Sequence, residues 1–238
     1  MNNPISYSRI IAIVPSAGTG SRMRSECPKQ YLHICGKTIL EHSLTVLLNN
    51  KQIQHIIVAI HPKDTHFNHL PLAKNIRITT VYGGLSRFDS VIAALKMAGS
   101  AKWVLIHDAV RPCIYPEDLC RLLTLTSYSR VGGILAVPIN DTIKCALIGS
   151  NYISHTVSRN NLWQALTPQV FPLQLLQTCL SKVSNKKNKI TDEATALEFC
   201  GFHPEILHGR RDNLKITEPE DLALAQLYLM ERDKKLGI

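Results

Sequence analysis

Long apolar runs are missing from this sequence. No stretch approaches the roughly 18 consecutive apolar residues of a transmembrane helix, so none is expected. The N-terminal MNNPISYSRIIAIVPSAG has too short an apolar run, and too polar a flank, to read as a signal peptide. Aromatic residues are few, at 6%, which argues against a stacking surface for nucleic acid. CxxC pairs are absent: Cys27, Cys35, Cys113, Cys120, Cys145, Cys179 and Cys200 are odd in number and scattered. Neither a disulfide framework nor a thiolate zinc site fits that spacing, and a reduced, cytoplasmic protein is the simplest expectation. Repeats and low-complexity linkers are also lacking.

What the chain does have is core-forming material and positive charge. Its 238 residues are 45% apolar, enough for one sizeable α/β domain, and its formal charge is +9. An excess of that size favours anionic partners: nucleic acid, membrane surfaces or phosphorylated small molecules; a merely solvated surface is the plain alternative.

Short apolar runs at 10–14, 55–60, 77–82, 103–107 and 132–137 predict strands, and helical periodicities lie at 39–49, 87–98 and 117–126 between them. That alternation predicts a doubly wound, mainly parallel sheet covered on both faces. Ligands of such sheets bind beyond the carboxyl ends of the strands, so the loops after 14, 82, 107 and 137 should converge. Residues 139–160 break the rhythm and read as a hairpin around Gly149-Ser150-Asn151. A hairpin without its own core needs something to pack on, such as a second subunit. Helices near 173–183 and 192–200, strands near 204–208 and 213–217, and a final helix from Glu218 complete the reading.

Three tempting motifs fail. Gly18 and Gly20 begin a dinucleotide fingerprint whose third glycine is Met23; Gly36-Lys37-Thr38 imitates a P-loop end, but Tyr31 stands where its first glycine belongs. His61, His66 and His69 fit a polar surface turn better than a metal site. What remains points to phosphate chemistry. Gly18 and Gly20 allow backbone N–H groups to approach an anion, Arg22 can grip phosphate oxygens, and Lys29 adds a point charge. Asp108 ends a strong strand in His107-Asp108-Ala109-Val110-Arg111, placed to hold a divalent cation or a substrate hydroxyl, or simply to close a turn. Gly83-Gly84 opens a helix bearing Ser90, which can bond a base or ribose.

The blocks VPSAGTGSRM, PKQYL, GG..R..SV, VLIHDAVRP, PINDTIK, TPQ, ITDEA and GRRDNLKIT, in that order, resemble the bacterial 2-C-methyl-D-erythritol 4-phosphate cytidylyltransferase family from about residue 9 to 230. The resemblance implies a Rossmann-like nucleotidyltransferase formed by a single 1–238 domain, with a protruding β-hairpin arm at 139–160. It implies attack of methylerythritol phosphate on the α-phosphorus of CTP, with Mg2+ or another divalent ion. Arg22 and Lys29 match the family's transition-state stabilisers; Arg159 and Lys215, with Asp108, Thr142 and Arg111, match acceptor-side positions. Ser16, Ala17, Gly18, Gly20, Gly84, Ser90 and Ala109 map to the CTP cradle, and Asp108 is the candidate metal ligand. The family forms homodimers through the arm, so Thr142 and Arg159 are expected to serve the other subunit. Two departures are Ser16, where alanine is usual, and Ser158, where aspartate or proline is common. Ribitol 5-phosphate as acceptor is the neighbouring alternative; neither a membrane nor nucleic acid is expected as a partner.

Overall fold

The computed structural model describes residues 9–18, 27–99 and 101–237. Seven strands form the main sheet: β1 (Ile10–Ser16), β4 (Ile53–Ile60), β5 (Ile78–Tyr82), β6 (Trp103–Ile106), β7 (Gly133–Pro138), β10 (Trp163–Pro172) and β11 (Glu205–His208). Their order is β11-β7-β10-β6-β1-β4-β5. All neighbours pair in parallel except β10, which runs antiparallel to both β6 and β7.

The expected two-sided burial is visible in β1. Ile10, Ala12 and Val14 join one core cluster, while Ile11 and Ile13 join another on the opposite face. A strand sandwiched in this way reads as a continuous apolar run because neither face meets water. The crossover helices carry their own start signals. α1 (Ile39–Asn49) follows the antiparallel pair β2 (His33–Ile34) and β3 (Lys37–Thr38) and begins with a Thr38–Glu41 capping box; α2 (Arg87–Met97) begins with a Ser86–Asp89 box. These caps fix where the loops end and the helices begin.

Three expectations needed correction. The predicted helix 117–126 is two pieces, α3 (Pro116–Leu123) and α4 (Leu125–Tyr128). The segment 213–217 is not a strand: Ile216 N–H reaches the Val110 carbonyl at 2.9 Å, while polar contacts around the site hold Asn213 and Lys215. Strand β10 was not foreseen, because Pro168 and Pro172 argue against a central strand. The register shifts between Ala165 and Gln169, which removes Pro168 from the ladder. The antiparallel return follows from the arm, since β7 runs out to it and β10 comes back.

The arm is a separate pair, β8 (Ile143–Ala146) with β9 (Ile153–Val157), and almost all its residues are exposed. Ile148, Tyr152 and Ile153 stand in the open. The remaining helices are α5 (Leu173–Lys182), α6 (Glu193–Phe199) and the terminal α7 (Glu220–Leu236).

Candidate active site

The strand ends after β1, β5 and β6 converge on a cleft of about 330 Å³. It gathers nine of the expected residues: Ser16, Ala17, Gly18, Lys29, Gly84, Ser90, Asp108, Ala109 and Lys215. Glycine is required at 83 because a Cβ there would sit 2.6 Å from Ala17 Cβ and 2.7 Å from Ser90 Oγ. At Gly18 no atom of the described residues lies within 4 Å of where a Cβ would be, which leaves that side of the backbone open to a close ligand. Ser90 accepts from Gly84 N–H at 3.2 Å and donates to the Ser86 carbonyl at 2.9 Å. Within the free chain it therefore holds the loop in shape. Lys29 lies in a short 3-10 turn and donates to the Ile216 carbonyl at 3.0 Å. Its neighbour Gln30 is buried and donates to the carbonyls of Ser16 at 2.9 Å and Gly18 at 3.1 Å. Gln30 thus ties the lysine turn to the glycine loop.

A second recess of about 190 Å³ adjoins the first and shares Arg87, Asp108 and Lys215 with it. Arg111, Thr167 and Thr191 line its far side. Asp108 is the hub of this shared wall. Its Oδ1 meets Arg87 Nε at 3.0 Å, and its Oδ2 meets Lys215 Nζ at 2.8 Å and Arg111 Nε at 3.8 Å. Burial alone would raise this carboxyl, but Arg87, Lys215 and Arg111 hold it well below the usual carboxylate range. It is an anion at any physiological pH. Behind it, His107 is fully buried, and burial pushes its pKa down to about 4. A neutral ring protonated on Nε2 satisfies every contact. Nε2–H donates to the Arg111 carbonyl at 3.1 Å, and Nδ1 accepts from the Thr167 hydroxyl at 3.1 Å. Thr167 in turn accepts the Asp108 N–H at 3.0 Å. His107 is therefore a buried packing and orienting group.

A sequence model described as 2-C-methyl-D-erythritol 4-phosphate cytidylyltransferase matches residues 10–231 of this chain. The chain belongs to that family. A Yersinia pseudotuberculosis protein of the same name is 55% identical over 231 residues, 97% of this chain and 96% of its own. A solved structure of that name from Francisella tularensis superposes with a TM-score of 0.81 at 34% identity, covering 93% of this chain and 100% of that one. The 4-diphosphocytidyl-2C-methyl-D-erythritol synthase from Anaerococcus prevotii gives 0.81 at 30% identity, over 95% and 98% of the two chains. The α/β fold with its mainly parallel sheet is thus the fold of 2-C-methyl-D-erythritol 4-phosphate cytidylyltransferases.

Within this cytidylyltransferase fold the expected residues are not all in one place. Arg22 and Gly20 lie outside the described residues. Thr142 and Arg159 sit exposed at the arm, and neither lines either of these two recesses; Arg159 Nη1 donates to the Asn140 carbonyl. The loop after β7 leads into the arm rather than into the cleft. Among the described residues Asp108 is the sole carboxylate lining the larger cleft, and it is already surrounded by three cations. Among the described residues no group of His, Cys, Asp or Glu is arranged to hold a metal. These residues do not form a divalent-cation cage of their own. The His61–His69 stretch is a surface turn in which His66 stacks on Tyr31, with ring centroids 5.0 Å apart. Three contributors were missed in the sequence: Arg87, Glu193 and Gln30. Glu193 grips Arg87 through two bonds of 2.7 and 2.9 Å across 106 residues of chain, a pairing that no local spacing announces.

Proposed function

We propose that this chain is a nucleotidyltransferase that joins CTP and 2-C-methyl-D-erythritol 4-phosphate, giving CDP-methylerythritol and pyrophosphate for isoprenoid synthesis. The observation that carries this reading is the shared wall: two adjoining recesses meet at Asp108, Arg87 and Lys215. One recess has the glycine loops and Lys29, suited to a nucleoside triphosphate. The other is smaller and polar, with Arg87, Arg111 and Lys215 set beside Asp108 and Asp192, suited to both the phosphate and the hydroxyls of a phosphorylated polyol.

In the reaction a phosphate oxygen of the acceptor forms a new bond to the α-phosphorus. The bond from that phosphorus to the bridging oxygen breaks, and pyrophosphate leaves with the electron pair. The attacking phosphate is already anionic, so no base is needed. The protein's work is alignment and charge stabilisation. Backbone N–H groups at Gly18 cradle phosphates, and the Lys29 ammonium meets the charge that builds at phosphorus. A carboxylate has about four lone-pair positions, so Asp108 retains room for an acceptor hydroxyl beside its cations. A divalent ion, Mg2+ by expectation, arrives as the counter-ion of the triphosphate.

The chain acts as a homodimer in the cytoplasm. The exposed apolar residues of the arm support a second copy as its cover, and Thr142 and Arg159 then reach the partner's acceptor recess. Seven scattered cysteines without a CxxC pair fit a reducing compartment. Coexpressing Lys29→Ala with Arg159→Ala tests the shared site. Each variant alone is nearly inactive, while random mixing leaves one intact site in half of the dimers and restores about a quarter of normal activity. Failure to recover any activity would leave Arg159 in its own subunit's site, and an Arg159→Ala chain active by itself would leave it in none.

The activity itself is tested by pyrophosphate release from CTP with methylerythritol phosphate against ribitol 5-phosphate, with ATP, GTP and UTP controls. Release confined to CTP and methylerythritol phosphate is expected. Release with ribitol phosphate instead would move the chain to the neighbouring acceptor.

A further inference from the structure

Glu193 is the first residue of α6 and is only 3% exposed. It lines neither recess. Its two oxygens take the two terminal nitrogens of Arg87 at 2.7 and 2.9 Å, and Arg87 gives its remaining Nε–H to Asp108 Oδ1 at 3.0 Å. The planar guanidinium is thus locked between two carboxylates, which leaves the second oxygen of Asp108 to hold Lys215 at 2.8 Å. The start of α6 is itself fixed. Gln169 on β10 donates to Asp192 Oδ2 at 2.8 Å and accepts the Ala194 N–H at 3.3 Å, while Asp192 caps the helix through Thr195 N–H. Glu193 therefore cannot drift without unseating the whole helix start.

We propose that Glu193 is a positioning residue for the acceptor. By holding both terminal nitrogens of Arg87 it sets the orientation of Asp108 and Lys215, the groups on the wall that the two recesses share. Without the Glu193 charge, Arg87 loses its bidentate partner and is free to grip an anion in either recess. Asp108 then loses its fixed orientation and Lys215 loses its aim. The glycine-loop side of the nucleotide cradle, away from the shared wall, is built on different contacts: the Ser86–Asp89 cap, the Gln30 ties and the Lys29 turn. Acceptor use should suffer while CTP binding does not.

The inference rests on the proposed reaction. The test is steady-state kinetics of Glu193→Gln, Arg87→Met and the double variant R87M/E193Q, with thermal melting of each. In Glu193→Gln, kcat/KM for methylerythritol phosphate is expected to fall about 10- to 100-fold, as for a small misplacement of a reacting group, while KM for CTP changes by less than about twofold. In the Arg87→Met background the same Glu193→Gln change should add less than about twofold, because its route of action is gone. A wild-type chain that releases no pyrophosphate from these two substrates would overturn the proposed reaction. An active wild type whose Glu193→Gln variant keeps its acceptor kcat/KM within about threefold would overturn this inference alone, as would equal losses for both substrates that track a lowered melting point. Where Glu193→Gln does not accumulate folded, the apolar pair R87M/E193M takes its place, since replacing both partners of a buried ion pair is often tolerated. That pair should lose acceptor kcat/KM as Arg87→Met does, and normal acceptor kinetics would sink the proposal.

Discussion

Replacing Lys29 by alanine is expected to lower kcat by about a hundredfold or more, the usual loss when one preorganised charge-stabilising donor is removed. That factor corresponds to about 2.7 kcal/mol of transition-state stabilisation. The argument is geometric before it is electrostatic. Lys29 stands on a turn tied to the glycine loop by Gln30, and its ammonium is already directed by the Ile216 carbonyl at 3.0 Å. A charge held in place before the reaction needs no reorganisation when negative charge develops. Because the side chain is only half-buried, the melting temperature should hardly move. Lys29→Arg should rescue incompletely, since a planar fork cannot occupy the place of a compact ammonium. Single-turnover measurement of pyrophosphate release at saturating CTP isolates the chemical step. A rate within about threefold of wild type would remove Lys29 from the transition state.

How much of this was legible in the sequence depends on whether a feature is local. The strand core was readable because Ile10 to Val14 must satisfy two apolar faces at once. The glycine loops and Asp108 were readable because the ends of parallel strands are where such sheets bind ligands. Strand β10 was not, because its prolines disguise a strand whose ladder skips Pro168 and ends at Pro172. The Leu214-Lys215-Ile216 alternation looked like a strand, yet contacts from Arg111 to the Asn213 carbonyl and from Lys215 to Asp108 shape that segment instead. Glu193 and Gln30 carry no signature at all. Each is one polar residue among many, and its role exists only once a partner distant in the chain is brought beside it. The same holds for Thr167, which links the Asp108 N–H to His107 from the unforeseen strand.

Asp108→Asn should damage stability and activity together, and its pH dependence separates two causes. Asparagine keeps the shape but removes the anion that Arg87, Arg111 and Lys215 share. Breaking a buried ion pair from one side typically costs about 3–5 kcal/mol. Here the lower end, about 3 kcal/mol, is expected, because Arg87 keeps Glu193 and Lys215 reaches solvent. Acceptor kcat/KM should fall by about a hundredfold or more, since the wall between the two recesses loses its organising charge. In the wild type the Asp108 carboxyl titrates below its unfolded value of about 3.9, so its stabilisation is complete at neutral pH and is lost as pH falls past that value. His107 acts in a higher window. Burial holds it down to about 4 in the folded chain, against about 6.5 when unfolded. As pH falls between those values the unfolded chain takes the proton first, and stability declines by up to about 3 kcal/mol. Urea midpoints at pH 8, 6, 4 and 3 should therefore show both declines in the wild type. In Asp108→Asn the decline between 6.5 and 4 should persist and extend lower, because the neighbouring charge that favoured the imidazolium is gone, while the steeper loss below pH 4 should shrink. Equal stability of the two proteins at pH 8, with matching loss below pH 4, would mean that Asp108 is not the charge on which the site is organised.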